Sequence, residues 1–307
     1  MTEAGGPRVA VVTIAHGRHD HLAAQHRSLA RGSVLPDTYL AVAMDDAGIV
    51  EERVESRTGA LTREVVRIGR SREGALPLAA ARNLGVRTAI ERGADVVVLL
   101  DVDCLAGDRL VEAYAEVVTA RPRWIWSGPV TYLPPPPPGG YPEDPAELAA
   151  WDDPHPARPR PAPGELVHSV DPDLFWSLSF AVDAQTWRHL GGFCEDYVGY
   201  GGEDTDLGRT ALALGIGLGW VGGARAFHQH HPVSNPPVEH LDDILRNGRL
   251  FHERWGEWPM AGWFEEFERR GLVRRVNGHW ERETSTPGPT PGPTPSPTTS
   301  PPPKETA

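Results

Sequence analysis

Three short runs constrain the fold of this chain more than anything else in it. Residues 8–15 (RVAVVTIA), 38–44 (TYLAVAM) and 94–100 (ADVVVLL) are continuously apolar and rich in β-branched residues. A strand with one solvated face alternates polar and apolar side chains; a strand covered on both faces does not. These runs therefore predict buried strands of a parallel sheet. Helical periodicity is present at 22–29, 78–92 and 108–120, and a short third strand is expected at 64–68, after a polar stretch (50–62) of no clear pattern. Strand–helix alternation over the first 120 residues is the signature of βα units. Further strands are expected at 124–131, 174–182, 216–221 and 224–227, and helices at 184–190, 239–255 and 261–270.

In such sheets ligands bind beyond the carboxyl ends of the strands. Two of the best strands end there in acid pairs, Asp45-Asp46 and Asp101-Val102-Asp103. No GxGxxG or GxxxxGK[ST] follows any strand, so neither a dinucleotide fingerprint nor a P-loop is present. Carboxylates two residues apart at a strand end can converge on a hard divalent cation, although a solvated strand end would look the same in isolation. Residues 227–232 (FHQHHP) place His228, His230 and His231 close together after a strand-like run, and imidazole ligands suit Mn²⁺ better than Mg²⁺. His16, His19, His21 and His26 show no such grouping and are read as surface residues, with His16 at the end of the first strand.

The third feature is residues 191–208, GGFCEDYVGYGGEDTDLG. Leu207, Ala211, Leu212 and Leu214 follow at helical spacing, which places Glu203, Asp204 and Asp206 on the first turn of a helix behind Gly201 and Gly202. Glycines let a ligand approach the backbone closely, and the helix dipole favours carboxylates at this position. A general base and an acidic helix cap both fit this pattern. Asp45 and Asp46 fit either a base- or ribose-binding role or a turn before Ala47-Gly48. Arg82 could balance a diphosphate or brace a carboxylate, and Asn83 could pair with a base or with backbone.

Taken in order, VAVVTIAHGR, AMDDAG, LAAARNLGV, VVVLLDVDC, SLSFAVDAQTWRHLGGF, GYGGEDTDLGRTALALG and FHQHH resemble inverting glycosyltransferases of family-2 type with the GT-A fold. The second half is most similar to the carboxy-terminal domain of β-1,4-galactosyltransferases and of chondroitin-synthase-like and polypeptide N-acetylgalactosaminyltransferase-like enzymes. The resemblance spans about 8–255. It implies an α/β, Rossmann-like and mostly parallel sheet flanked by helices. It also implies a metal-dependent transferase that moves a sugar from a nucleotide-diphosphate donor, with UDP expected, to a carbohydrate or glycoconjugate acceptor. By that analogy Asp103 and His228 hold Mn²⁺ (or Mg²⁺), Asp101 meets the ribose, and Asp45, Asp46, Arg82 and Asn83 lie at the nucleotide. Asp204 is then the catalytic base and Glu203 holds the acceptor. Gly201 and Gly202 give the donor sugar room, Trp176 and Tyr200 stack on sugar rings, and Asp206 supports the helix turn. Galactosyltransferases commonly carry Trp at position 200, and the AHGRHDHL loop replaces their usual proline–Tyr–Asn pattern.

Two competing readings use the same residues. A nucleotidyl- or phosphoryl-transferring enzyme would want a lysine-rich phosphate clamp, whereas the only lysine here is Lys304. An inactive carbohydrate-binding protein on the same fold would not need Asp103, Asp204 and His228 together. The formal charge of −12 argues against nucleic-acid binding. No apolar run is long enough to span a membrane, and two cysteines are too few for a disulfide framework. The sequence predicts a soluble, cytoplasmic protein with one globular unit over 1–283. Residues 133–172, with five consecutive prolines at 134–138, are read as a loop or partly ordered excursion, a solvated linker in preference to a segment that shapes the acceptor side, and 284–307 as a disordered Pro/Thr-rich tail.

Overall fold

The computed structural model describes residues 6–232 and 234–283; the 284–307 tail lies outside the described residues. The first run forms β1 (Val9–Ala15) and is followed by α1 (His19–Arg31) and β2 (Thr38–Met44). The patternless stretch after it is a hairpin of β3 (Glu52–Glu55) and β4 (Ala60–Ile68), so the third strand is longer than its apolar end suggests. Next come α2 (Leu78–Glu91), β5 (Val96–Leu100), β6 (Cys104–Ala106) and α3 (Leu110–Ala120).

Residues 124–131, expected as one strand, divide into β7 (Trp124–Ser127) and β8 (Val130–Tyr132), which join different sheets. The break falls at Gly128-Pro129, where a side chain at 128 would collide with the Ala224 carbonyl and Pro129 has no N–H for a ladder. Within 133–172 lie α4 (Pro145–Leu148) and β9 (Leu166–Ser169). The strand expected at 174–182 is only half there: a 3-10 turn (Pro172–Leu174) precedes β10 (Ser179–Asp183). Then follow α5 (Ala184–Leu190), α6 (Glu203–Ala213), β11 (Gly217–Val221), β12 (Ala226–His228), α7 (Leu241–Trp255) and α8 (Ala261–Arg269). An unforeseen hairpin, β13 (Val273–Val276) and β14 (His279–Arg282), closes the described chain. None of the described helices is long and apolar enough to cross a membrane.

Nine strands form the main sheet in the order β3-β4-β2-β1-β5-β10-β7-β11-β9. The left half is parallel from β4 to β5, while β10 runs antiparallel between β5 and β7. Alternate residues of β1 serve opposite cores. Val9, Val11 and Ala15 pack with α1 and α3, whereas Ala10, Val12 and Ile14 pack with α2, α5 and α6. This is the two-faced burial that the continuous apolar runs predicted. Gly85 lets α2 lie directly on the sheet, since a Cβ there would come within 2.9 Å of Val42 Cγ2 and closer still to Val12.

The 133–172 segment is not a solvated linker. Leu133 and Leu148 are buried with Leu105 and Phe227 in a small core, and β9 pairs antiparallel with β11 to form one edge of the main sheet. Prolines disguise this order because they remove helical periodicity without preventing side-chain burial. At the far end, α7, α8 and the last hairpin build their own core around Phe264, Phe267 and Trp280.

Candidate functional site

A three-stranded sheet, β6-β12-β8, sets the geometry of the site. Its register places His228 opposite Cys104 on β6 and beside Tyr132 on β8, and Gln229 N–H donates to the Asp103 carbonyl at 2.7 Å. That fixed pairing brings Asp103 against two imidazoles. His228 Nε2 lies 3.4 Å from one carboxylate oxygen and His231 Nε2 lies 3.2 Å from the other. One ligand atom from each of the three falls within 4.8 Å of the others, a spacing that could hold a metal ion. Burial lowers the pKa of His228, which favours the neutral imidazole a metal needs. Burial works to raise Asp103, but the His231 hydrogen bond and the two nearby imidazoles outweigh it and keep the carboxyl below its ordinary value. Two nitrogens and one carboxylate suit Mn²⁺ better than Mg²⁺, so the donor set fits the expected cation. The sequence groups His231 with His228 and His230 without singling it out. His230 is exposed, and its backbone N–H donates to the Tyr141 hydroxyl at 3.0 Å.

Arg82 joins this strand end to α6. It is 6% exposed, with Nη2 donating to Asp101 at 3.2 Å and Nη1 to Glu203 at 3.0 Å. It therefore braces carboxylates and is not a helix-surface residue. Burial raises Asp101 to about 6 even with that guanidinium alongside.

Asp204 is carried at the start of α6 by Gly201 and Gly202, whose φ values of 98° and 92° lie in the left-handed region that glycine tolerates. Its carboxylate accepts from the Thr205 N–H at 2.8 Å and from the Ser177 N–H. Burial nevertheless raises its pKa to about 7, and the neighbouring Glu203 charge adds to the rise. Glu203 Oε2 is buried with no partner among the described residues. Asp206 turns the other way and does more than support a helix turn: it accepts from Arg254 Nε and Trp255 Nε1, each at 2.7 Å, and from the Tyr197 hydroxyl at 3.2 Å. These contacts lock α6 to α7.

At the end of β2 the two acids differ. Asp46 fastens loops together, accepting from Gly17 N–H at 2.8 Å, Gly48 N–H at 2.9 Å and His19 at 2.8 Å, and the His19 bond chiefly pulls it down to about 2. Asp45, held at φ 49°, faces a cleft of about 390 Å³ shared with Arg67, Ile68 and Gly69, and pairs with Arg70 at 2.6 Å. Arg70 also reaches His16 at 3.2 Å. The Asn83 side-chain amide is spent on the 193–195 turn, donating to the Phe193 carbonyl and Glu195 and accepting from Phe193 N–H, all at 2.9 Å. His26, read as a surface residue, is buried and bonds the Leu61 carbonyl at 3.0 Å.

The aromatic candidates frame the site. The Tyr200 ring stacks on His240 at 4.7 Å and lies nearly parallel to Trp263 at 6.1 Å, while its N–H donates to Asp243. Trp176 is half-buried and immediately precedes Ser177, which touches Asp204.

No protein-family profile matches the chain. Validoxylamine A glucosyltransferases of Streptomyces hygroscopicus subsp. jinggangensis (strain 5008) and subsp. limoneus are each 45% identical to it over 42 residues. That stretch is 14% of this chain, and the chain spans only 10% and 9% of the length of these relatives. Among solved structures, S. aureus TarS 1-349 superposes with a TM-score of 0.51 at 12% identity, over 86% of this chain and 72% of that one. Longer TarS gives the same score over 43% of its length. GalNAc-T7 with UDP, GalNAc and Mn²⁺ reaches 0.48 at 13% identity, over 74% of this chain and 44% of that one. The TarS likeness covers most of this chain, and the architecture is the α/β GT-A fold that the motifs resemble.

Proposed function

We propose that the chain is a metal-dependent glycosyltransferase that moves a sugar from a nucleotide-diphosphate donor, UDP-linked, to an acceptor hydroxyl with inversion. One observation carries this reading. A carboxylate–diimidazole group (Asp103, His228, His231) and a buried carboxylate in the range of a base (Asp204) lie at the same end of the sheet, coupled through the Asp101–Arg82–Glu203 ion pairs. The matched segment of the validoxylamine A glucosyltransferases agrees with sugar transfer.

Mn²⁺ held by Asp103, His228 and His231 would neutralise the charge that builds on the leaving diphosphate. Asp204 takes the proton from the attacking hydroxyl, which its raised pKa equips it to do near neutral pH. The unpartnered Glu203 Oε2 accepts a hydrogen bond from the acceptor, while Arg82 fixes its other oxygen. Trp176 and Tyr200 offer ring faces to sugars, and Gly201 and Gly202 leave space beside them. Asp101 lies toward the ribose, and Asp45 with the cleft beside it takes the base. Asp46 and Asn83 act as positioning residues, because their polar atoms are already occupied by protein. A single base on the acceptor side corresponds to one displacement, hence inversion; the retaining route needs a nucleophile against the donor carbon.

The test is turnover of a panel of UDP-sugars by chelator-stripped protein with and without added Mn²⁺, with the anomeric configuration of the product read by NMR. Metal-dependent release of UDP with inversion is expected. Turnover indifferent to metal, or none with any nucleotide sugar, contradicts the proposal.

A further inference from the structure

The 133–172 segment carries a residue that this mechanism leaves unused. Arg158 is 6% exposed, and none of its three guanidinium nitrogens has a hydrogen-bond partner among the described residues. A buried cation without a counter-charge opposes folding, and burial accordingly lowers its pKa from the ordinary arginine value. An arginine-lined surface groove of about 420 Å³ along α7 is different in kind. There Arg246 bonds Asp243 and Arg282 bonds Asp242.

The position of Arg158 is built. His155 N–H donates to the Val130 carbonyl at 3.1 Å, Asp153 N–H to Thr131 Oγ1 at 3.1 Å, and Arg158 N–H to the His155 carbonyl at 3.1 Å. Asp152 is ion-paired with Arg225. These contacts tie residues 152–158 along β8. The guanidinium lies 5.1 Å from the Trp176 ring centre and 6.0 Å from that of Trp220.

Its surroundings connect both halves of the candidate site. On one side Trp176 leads into Ser177, which donates to Asp204. On the other, His155 meets Trp176 at 5.1 Å and Tyr132 at 5.6 Å, and Tyr132 stacks on His228 at 4.6 Å. The Trp176 ring that the unpaired guanidinium faces is therefore tied to Asp204 through Ser177 and to a ligand of the metal group through His155 and Tyr132.

We propose that Arg158 receives an anionic group of the donor: an oxygen of the diphosphate or a carboxylate borne by the transferred sugar. The planar fork of a guanidinium matches either anion with two parallel hydrogen bonds, and bound charge there supplies the partner that the folded chain lacks. The identity of the donor rests on the glycosyltransfer reading; the anion site itself does not.

The test measures binding to the full Mn²⁺-loaded chain, as wild type, R158M and R158K, of four probes: inorganic diphosphate, UDP, UDP-glucose and UDP-glucuronate. Losing a charge-assisted contact is expected to weaken the gripped ligand roughly 10- to 100-fold in R158M, with partial recovery in R158K. A loss shared by diphosphate, UDP and UDP-glucose assigns the phosphate oxygens; a loss confined to UDP-glucuronate assigns a sugar carboxylate. Without ligand, the melting temperature of R158M is expected to equal or exceed that of wild type, whereas a stacked cation with a merely structural role would lower it. Equal affinities in wild type and variants overturn the inference, as does failure of wild type to bind any of the four probes. Should R158M not fold, equal affinities of R158K and wild type overturn it too. Arg158-dependent binding without turnover of any nucleotide sugar would instead sink the glycosyltransfer reading alone.

Discussion

Arg82 and Arg158 are buried to the same 6% exposure, yet they live in opposite electrostatic surroundings. Arg82 holds Asp101 and Glu203, and their charges push its pKa up despite burial. Arg158 has aromatic faces on two sides and no carboxylate in hydrogen-bond reach among the described residues, and its pKa falls. Burial of a charge is tolerated when partners replace water. By that standard the first arginine is a brace on α2 that holds acids from the end of β5 and the start of α6. The second is a receptor whose partner arrives from outside. The same side chain thus marks the finished part of the site and the part that a substrate completes.

Substitutions sharpen the contrast, beginning with the largest effect. R82M leaves half-buried Asp101 and buried Glu203 without their counter-charge and should cost about 3 kcal/mol in urea unfolding; an unchanged midpoint would mean that the acids find other partners. D206A offers a control from a third buried charge, also fully paired. It strands Arg254, Trp255 and Tyr197, and should cost about 2–4 kcal/mol while leaving Mn²⁺ affinity as it was. H231A should weaken Mn²⁺ binding roughly 10- to 100-fold by calorimetry with little change in stability, because the half-exposed loop carrying it supports no core. R158M should raise the unfolding free energy by about 1 kcal/mol, since it removes an unpaired buried cation and keeps the aliphatic stem. A loss of stability comparable to that of R82M would erase the distinction between the two arginines.

What the sequence disclosed follows the same division. β1, β2 and β5 were legible because burial on both faces leaves no polar interruptions, and their terminal acids marked the ligand edge of the sheet. The helix start at Glu203 was legible from glycines followed by an apolar stripe. The edge strand β9 was not, because Leu166 and Val167 are both exposed and flanked by prolines. The hairpin β13–β14 hid for a related reason: its arginines and glutamates point outward and only Val273 and Trp280 face the core. The pairing of Asp103 with His231 depends on the register of β6 on β12, a contact across more than a hundred residues that no local pattern encodes. Arg158 was invisible as well. In a run of prolines nothing periodic distinguishes a buried arginine from a solvated one, and only the stacked tryptophans from distant elements reveal it. The fates of Asp46 and Asn83 likewise depend on partners far along the chain, Gly17 and His19 for one, and Phe193 and Glu195 for the other.

If Asp204 is the base of a metal-dependent sugar transfer, its ionisation governs kcat, measured against pH with Mn²⁺ and saturating nucleotide sugar for wild type and D204N. A base must be ionised to act, and burial holds Asp204 near 7. Wild-type kcat should therefore fall as pH drops through about 7 and level off above it. D204N should be roughly 10²- to 10⁴-fold slower across the range, without that inflection. A D204N rate equal to wild type, or the same inflection in both proteins, would contradict the account.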